Sequence, residues 1–361
     1  MRVSLAHLQR ITNDVATTST LYKGILQRFP GNMSFAFSYG SGIFPQNDYS
    51  PPSSNMLDFV FVVRDPFAWH KRNLEMNKQD YSGLMRFAGA KRIKNLMQNY
   101  GAFVYYNTGI PLGGRVIKYG VISEDHLVQD LVKWDTLYIA GRLHKPVHIV
   151  QHDFEASPKL LEGLKANLIG ALLTSLLILP ESFSETELFH TIAGLSYSGD
   201  FRMTLGEDRN KVSNIVNSNL ERFQQLYHPV LEGVCETSRQ MRAPLRSFIY
   251  WDKEKRTIDQ DKSPQVQHLH LQKLPFHLQT SLCRVFDIEA RHVRDVEEIL
   301  KSAARYPDLS DVIQQSVINI VKNTNKSQSL KGILSAGPWT SIKYSGNKLK
   351  KMFKSIFVTN R

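Results

Sequence analysis

One carboxylate, one turn of small residues and one strand lysine are the groups in this sequence whose types and spacing could do phosphate chemistry. Met33 to Tyr39 reads Met-Ser-Phe-Ala-Phe-Ser-Tyr, alternating small or polar with large apolar residues as a half-buried strand does. It runs into Gly40-Ser41-Gly42, where backbone N–H groups can approach a phosphate with no Cβ in the way. After a loop, Leu57-Asp58-Phe59-Val60-Phe61-Val62-Val63 is a near-continuous apolar strand with a single acid at its start. A carboxylate there is suited to holding a divalent cation beside phosphates that the turn captures. Its other reading is a solvated acid at a strand end. Lys118 sits mid-strand in Val116-Ile117-Lys118-Tyr119, where a lysine either snorkels to an edge or reaches a phosphate. Arg115 and Arg142 offer the same charge from positions nearer to loops.

Competing phosphate motifs are absent. A dinucleotide fingerprint requires a third glycine three residues after Gly42, where Pro45 stands, and no Gly-Lys-Ser/Thr occurs in the chain. A strand, a Gly-Ser turn and an acid on the next strand instead resemble the layout of the nucleotidyltransferase fold. That pattern carries a second acid two residues after the first; here Val60 occupies the position, and Asp65 lies too far along. Either another carboxylate completes a metal site, with Glu124, Asp125, Asp130 and Asp135 as candidates, or Asp58 and a triphosphate suffice. His144, His148 and His152 have the spacing of a metal motif on a helix. Pro146 and the β-branched neighbours favour a strand, which sets positions four apart by roughly 13 Å. Further on, Tyr197, Asp200, Arg202 and Lys211 gather an aromatic, an acid and cations, as a phosphate-bearing substrate or a salt-bridged loop would require.

These groups need elements to position them. A chain of 361 residues has room for two domains and a sizeable core, and 42% hydrophobic with 22% charged residues fits a globular protein. Residues 33 to about 152 alternate strands and helices: helices over 70–77 and 85–100, strands over 103–106, 115–122 and 146–151, and a Ser123-capped helix to about Trp134. From about Ser157 the chain turns helical, over 159–179, over 184–193 behind a Ser184/Glu187 cap, and over 266–321. Residues 236–265 read as a polar, irregular and mobile loop. Ala166 to Leu179 is strongly apolar but short of the ~20 residues that span a bilayer, so it reads as a buried helix stopped by Pro180. Cys235 and Cys283 stand far apart in no metal-ligand spacing, which argues for a reducing compartment and against a disulfide framework.

Charge is unevenly placed. Of the net charge of +12, Lys322 to Arg361 carries +9, with nine Lys or Arg and no acid. That points to an anionic partner, nucleic acid or an acidic membrane. Leu349, Met352, Phe353 and Ile356 share one helix face, with Lys348, Lys350, Lys351 and Lys354 around them and Lys343 ahead. This is the pattern of an interfacial helix; an RNA-binding arm has less need of the apolar stripe, and the Ser, Asn and Gly of 323–347 also fit a disordered tail. At the other end, Met1 to Phe29 sets Arg2, Arg10, Lys23 and Arg28 against Asp14 alone, which fits a mitochondrial presequence and a helical leader alike.

Six blocks carry a specific resemblance. They are Tyr39-Gly-Ser-Gly-Ile-Phe, Met56-Leu-Asp-Phe-Val-Phe, Ala68-Trp-His, Ile117-Lys-Tyr-Gly-Val-Ile-Ser, Leu137-Tyr-Ile-Ala-Gly-Arg-Leu and Ala193-Gly-Leu-Ser-Tyr-Ser-Gly-Asp-Phe-Arg. In this order they resemble the family of mitochondrial translocator assembly and maintenance proteins, the mitochondrial phosphatidate cytidylyltransferases. The match runs from about residue 30 to 225 and recurs at Arg294-Asp-Val-Glu-Glu and Lys331-Gly-Ile-Leu-Ser-Ala-Gly, while 231–290 shows little of it. The resemblance implies an α+β chain. A leader over 1–30 precedes a nucleotidyltransferase-fold domain with a mixed sheet over 31–155. A mainly helical, winged-helix-like domain over 156–321 and a basic amphipathic membrane-associating tail over 322–361 follow.

It also implies transfer of CMP from CTP to phosphatidic acid with Mg2+, giving CDP-diacylglycerol and pyrophosphate for cardiolipin synthesis. The chain would attach peripherally to the anionic matrix face of the mitochondrial inner membrane. Under this resemblance Asp58 and Lys118 are catalytic, with Asp58 the metal ligand. Gly40, Ser41, Gly42 and Arg142 bind CTP; Tyr197, Asp200, Arg202 and Lys211 bind phosphatidate; Lys343, Lys348, Lys350, Lys351 and Lys354 meet the membrane. The alternatives are a mitochondrial RNA nucleotidyltransferase, which the same first domain and tail permit, and a non-catalytic import-assembly factor, which leaves Asp58 and the Gly-Ser turn without a purpose. Nucleic acid is not expected as a partner, and the oligomeric state stays open.

Overall fold

The computed structural model describes residues 16–43, 56–200, 203, 210–232, 247–287 and 295–336. Strands β1 (Met33–Tyr39), β2 (Leu57–Val63), β3 (Val104–Leu112), β4 (Arg115–Ser123) and β5 (His148–His152) form one mixed sheet in the order β3-β4-β2-β1-β5. Only the β2–β4 pairing is parallel. β2 lies at the centre with both faces covered, which is why it reads as a continuous apolar run rather than an alternating one. Phe35, Phe37, Val60, Val62 and Tyr106 enter one core, and Ala36, Phe59, Phe61 and Tyr119 the other.

Helices α1 (Ala16–Leu26) and α2 (Pro66–Met76) close the second face with Tyr22, Ile25 and Trp69. Asp65 caps α2, its Oδ1 accepting from the backbone N–H groups of Phe67 and Ala68 at 2.9 and 3.1 Å. Helix α3 (Gly83–Asn99), broken at Gly89, lays Met85, Ile93 and Met97 against Tyr81 and Tyr105. The first face is closed by α4 (Glu124–Lys133) and α5 (Pro158–Ile178). Ser123 caps α4 as its sequence predicts, and Trp134 ends it in the left-handed conformation. Among the described residues α5 alone is long and apolar enough to cross a membrane, yet most of it is buried in the core.

The remaining elements are β6 (Ser182–Ser184), α6 (Glu185–Leu195), α7 (Lys211–Asn217), α8 (Leu220–Leu231), β7 (Ile249–Asp252), β8 (Thr257–Gln260), α9 (Pro264–Leu271), α10 (Phe276–Asp287), α11 (Val296–Ala303) and α12 (Leu309–Ala336). A small antiparallel sheet, β6-β8-β7, sits among these helices.

The structure departs from the sequence expectation in three places. The expected leader over 1–30 overlaps the fold, because Tyr22, Ile25, Leu26 and Phe29 are buried against the sheet. The expected irregular loop over 236–265 holds the β7–β8 hairpin: Ile249-Tyr250-Trp251 and Thr257-Ile258 are strand formers flanking a charged turn. The expected tail boundary at 322 falls inside α12. There, Gln328 accepts from Ala102 N at 2.9 Å and donates to Val104 O at 3.4 Å, and Lys331 Nζ donates to Tyr100 O at 2.5 Å. Gly101, with φ +65, has Gln328 Oε1 2.6 Å from where a Cβ would stand. The first part of the basic segment is therefore sheet-edge structure. Lys343, Lys348, Lys350, Lys351, Lys354 and the stripe from Leu349 to Ile356 lie outside the described residues.

Candidate active site

Strand register makes the site. Tyr39, Asp58, Lys118 and Thr108 are successive partners across β1, β2, β4 and β3, so one rung turns these side chains to one face. Lys118 Nζ is 3.4 Å from Asp58 Oδ1, with both side chains partly exposed. The same ammonium lies 4.5 Å from the centre of the Tyr106 ring. Gly40 leaves β1 at φ +85, and a Cβ there would stand 3.4 Å from Asp58 Oδ2. Ile43 N donates to Gly40 O at 3.1 Å and closes the turn, while a Cβ on Gly42 would collide with the Met56 carbonyl. Small residues thus let the turn lie directly against the start of β2, beside Asp58.

Arg142 arrives from the segment after α4. Buried Asp130 shapes that segment, its carboxylate accepting from Thr136 N, Thr136 Oγ1, Leu137 N and Ala140 N at 2.8, 2.9, 3.0 and 3.1 Å. The guanidinium then lies 4.0 Å from the Tyr138 ring centre and 5.2 Å from that of Tyr39, and donates to the Tyr138 carbonyl. Its Nε is buried with no acceptor among the described residues. Tyr39 and Tyr106 hydroxyls are 3.4 Å apart, which links the Arg142 pair to the Lys118 pair. Burial raises the Tyr39 pKa, so the phenol is neutral there.

A second cationic group adjoins. Lys145 Nζ donates to Ser196 Oγ at 2.8 Å and to the Gly141 carbonyl, and lies 5.0 Å from the Tyr197 ring centre. Lys211 Nζ is 5.4 Å from the same ring. Burial, then the charges of Arg142 and Lys211, hold the Lys145 pKa well below the usual lysine value. No described carboxylate forms an ion pair with Arg142 or Lys145. Gly141 permits the contact, since a Cβ there would collide with Ser196. Asp200 is buried in the same loop, its N–H donating to Tyr197 O at 3.1 Å; Arg202 lies outside the described residues.

The fold therefore brings Gly40, Ser41, Gly42, Asp58, Lys118, Arg142, Tyr197 and Lys211 into one connected surface. Sequence reasoning missed Lys145, Tyr106 and Tyr138. Lys145 follows a short 3-10 turn, where neither helical nor strand periodicity shows which side chains turn inward. His144, by contrast, is a packing residue: buried, bonded to Asn167 at 3.0 Å, its pKa lowered by burial to about 3.

A family model described as mitochondrial phosphatidate cytidylyltransferase matches residues 22–351. The chain belongs to this family. Curated relatives named mitochondrial phosphatidate cytidylyltransferase include one from Xenopus laevis, 46% identical over 94% of this chain and 96% of its own length. One from Danio rerio is 45% identical over 93% and 96%, and one from Drosophila melanogaster 39% over 92% and 98%. A crystal structure of a nucleotidyltransferase-like protein from Exiguobacterium sibiricum aligns over 88% of this chain and 76% of its own at 10% identity. Its TM-score of 0.22 is too low to bear on the fold.

Of the carboxylates weighed as metal ligands in this phosphatidate cytidylyltransferase family member, Asp58 alone lies partly exposed beside the Gly40–Gly42 turn. Glu124 and Asp125 follow Ser123, which pairs with Val63, five residues along β2 from Asp58 and so roughly 16 Å away. Asp130 is committed to its segment, and Asp135 Oδ1 meets His277 Nε2 at 2.5 Å. Among the described residues no three His, Cys, Asp or Glu side chains cluster as a metal cage. One partly exposed carboxylate beside a glycine-lined turn fits an ion such as Mg2+ that takes most of its ligands from water and substrate phosphates.

Proposed function

We propose that this chain is a phosphatidate cytidylyltransferase that moves CMP from CTP to the phosphate of phosphatidic acid. The observation that carries this reading is the Asp58–Lys118 rung beside the Gly40–Gly42 turn, continued by Arg142 and Lys145. A phosphatidate phosphate oxygen attacks the α-phosphorus of CTP. The new P–O bond forms as the bond to the pyrophosphate bridging oxygen breaks, and pyrophosphate leaves with that electron pair. A phosphate monoester is already anionic near neutral pH, so no strong base is required. Alignment and charge neutralisation do the work.

Turn N–H groups and the Ser41 hydroxyl hold the triphosphate, and Lys118 and Arg142 face the charge that develops on it. Lys145 and Lys211, set around the Tyr197 ring, hold the acceptor phosphate. Asp58 would hold a Mg2+ ion, which would supply further positive charge at the triphosphate. The product, CDP-diacylglycerol, is a precursor for cardiolipin, and the basic tail holds the chain on the anionic matrix side of the inner membrane.

Incubation of the full chain with labelled CTP, Mg2+ and detergent-dispersed phosphatidate tests the reading. CDP-diacylglycerol and stoichiometric pyrophosphate are expected, with no label entering RNA. Label in RNA and none in lipid would overturn it.

A further inference from the structure

Helix α3 carries apolar side chains that the fold does not use. Ser82 caps it, and its buried face is Met85, Ala90, Ile93 and Met97. Leu84 and Phe87, three apart on the first turns, point the other way and are 60% and 90% exposed. A phenylalanine left in water forgoes roughly 1.5–3 kcal/mol of transfer free energy, so two such residues on one turn mark a surface with a partner. Gly89, with φ +74, then breaks the helix. Lys91 and Arg92 are exposed just beyond it, with Arg86 and Lys94 beside them. No described acidic residue forms an ion pair with any of these four cations. From Arg64 to Tyr100 the chain holds eight Lys or Arg against three Asp or Glu, so the apolar turn sits in a cationic field.

We infer that the Leu84–Phe87 turn of α3 is a second membrane contact, inserting into an anionic bilayer while Arg86, Lys91, Arg92 and Lys94 meet its headgroups. The charge selects this occupant. A protein partner or a second copy would need only the apolar surface, whereas a bilayer bearing anionic lipid matches both parts. The last residue of α3 leads into Tyr100, whose carbonyl takes the Lys331 bond from α12. Tyr100 and Leu330 are each 63% exposed at that junction. The surface stands apart from the Asp58 rung, since α3 packs through Tyr105, whose side chain leaves β3 on the face opposite Tyr106 and its Lys118 contact.

The test uses the full chain and vesicles of phosphatidylcholine with phosphatidylglycerol. Phe87→Glu should bind these vesicles on the order of tenfold more weakly than wild type. Lys91→Gln with Arg92→Gln should weaken binding by about fivefold per charge, and only on anionic vesicles. Cytidylyl transfer to detergent-dispersed phosphatidate should not change in either variant. An environment-sensitive fluorophore on Phe87→Cys, with Cys235 and Cys283 replaced by serine, should shift to the blue on vesicle addition; it also decides the matter should Phe87→Glu melt early. Wild-type vesicle binding by Phe87→Glu, or a label that stays in water, would overturn the inference. So would a change in sedimentation state in place of vesicle affinity, which would assign the turn to contacts between copies.

Discussion

Asp58 and Lys145 show how much of this site is set by single charges. Asp58 is the one carboxylate on its rung, partly exposed and 3.4 Å from Lys118. Asp58→Asn keeps the volume and removes the charge, so turnover should fall on the order of a hundredfold or more while the melting curve stays in place. Near-normal turnover would remove the metal role. Lys145 is buried among cations, which drives its pKa down. Its positive charge is complete below that lowered value and lost as pH rises through it. The KM for phosphatidate should therefore climb as pH rises, with kcat less affected, and Lys145→Met should start high and stay flat. Parallel KM profiles for the two proteins would take Lys145 out of the phosphate site.

At the scale of elements, two packed junctions matter: the turn against β2 and α12 against β3. Gly42→Ala drives a Cβ into the Met56 carbonyl, so the turn must lift away from Asp58. The KM for CTP should rise about tenfold or more, against a smaller change for Ser41→Ala, which alters one hydroxyl and leaves the path intact. An equal effect of both would mean that the turn's backbone is not the binding element. Gln328 satisfies Ala102 N and Val104 O from a position that charge patterning assigns to a tail. Gln328→Ala leaves both groups buried and unpaired and should cost about 2 kcal/mol in urea melts. A stability within error of wild type would show that water replaces the amide.

Across the whole molecule, catalysis and attachment should separate at Ala336. A chain ending there keeps every described element but loses Lys343, Lys348, Lys350, Lys351, Lys354 and Arg361, six of the nine tail charges, with the Leu349 to Ile356 stripe. It should turn over detergent-dispersed phosphatidate at the wild-type rate and bind anionic vesicles more weakly. Salt should reduce wild-type binding only in part, because ion screening weakens the lysine attraction but not apolar insertion. Loss of activity in detergent would tie the tail to the catalytic fold itself.

The sequence by itself determined the local chemistry. Glycines bracketing Ser41, an acid opening an otherwise apolar strand, a Ser123 cap and the long apolar α5 are short-range patterns, and the fold uses each where the pattern put it. Only the tertiary structure decided what those groups meet. Strand register aligned Asp58 with Lys118, sixty residues away, and the left-over Asp65 became a helix cap. Lys145 and Lys331 look alike as exposed lysines in the sequence, yet one faces Ser196 and Tyr197 and the other donates to the Tyr100 carbonyl at the end of α3. Burial depends on partners far along the chain, and no periodicity of a few residues can carry that information.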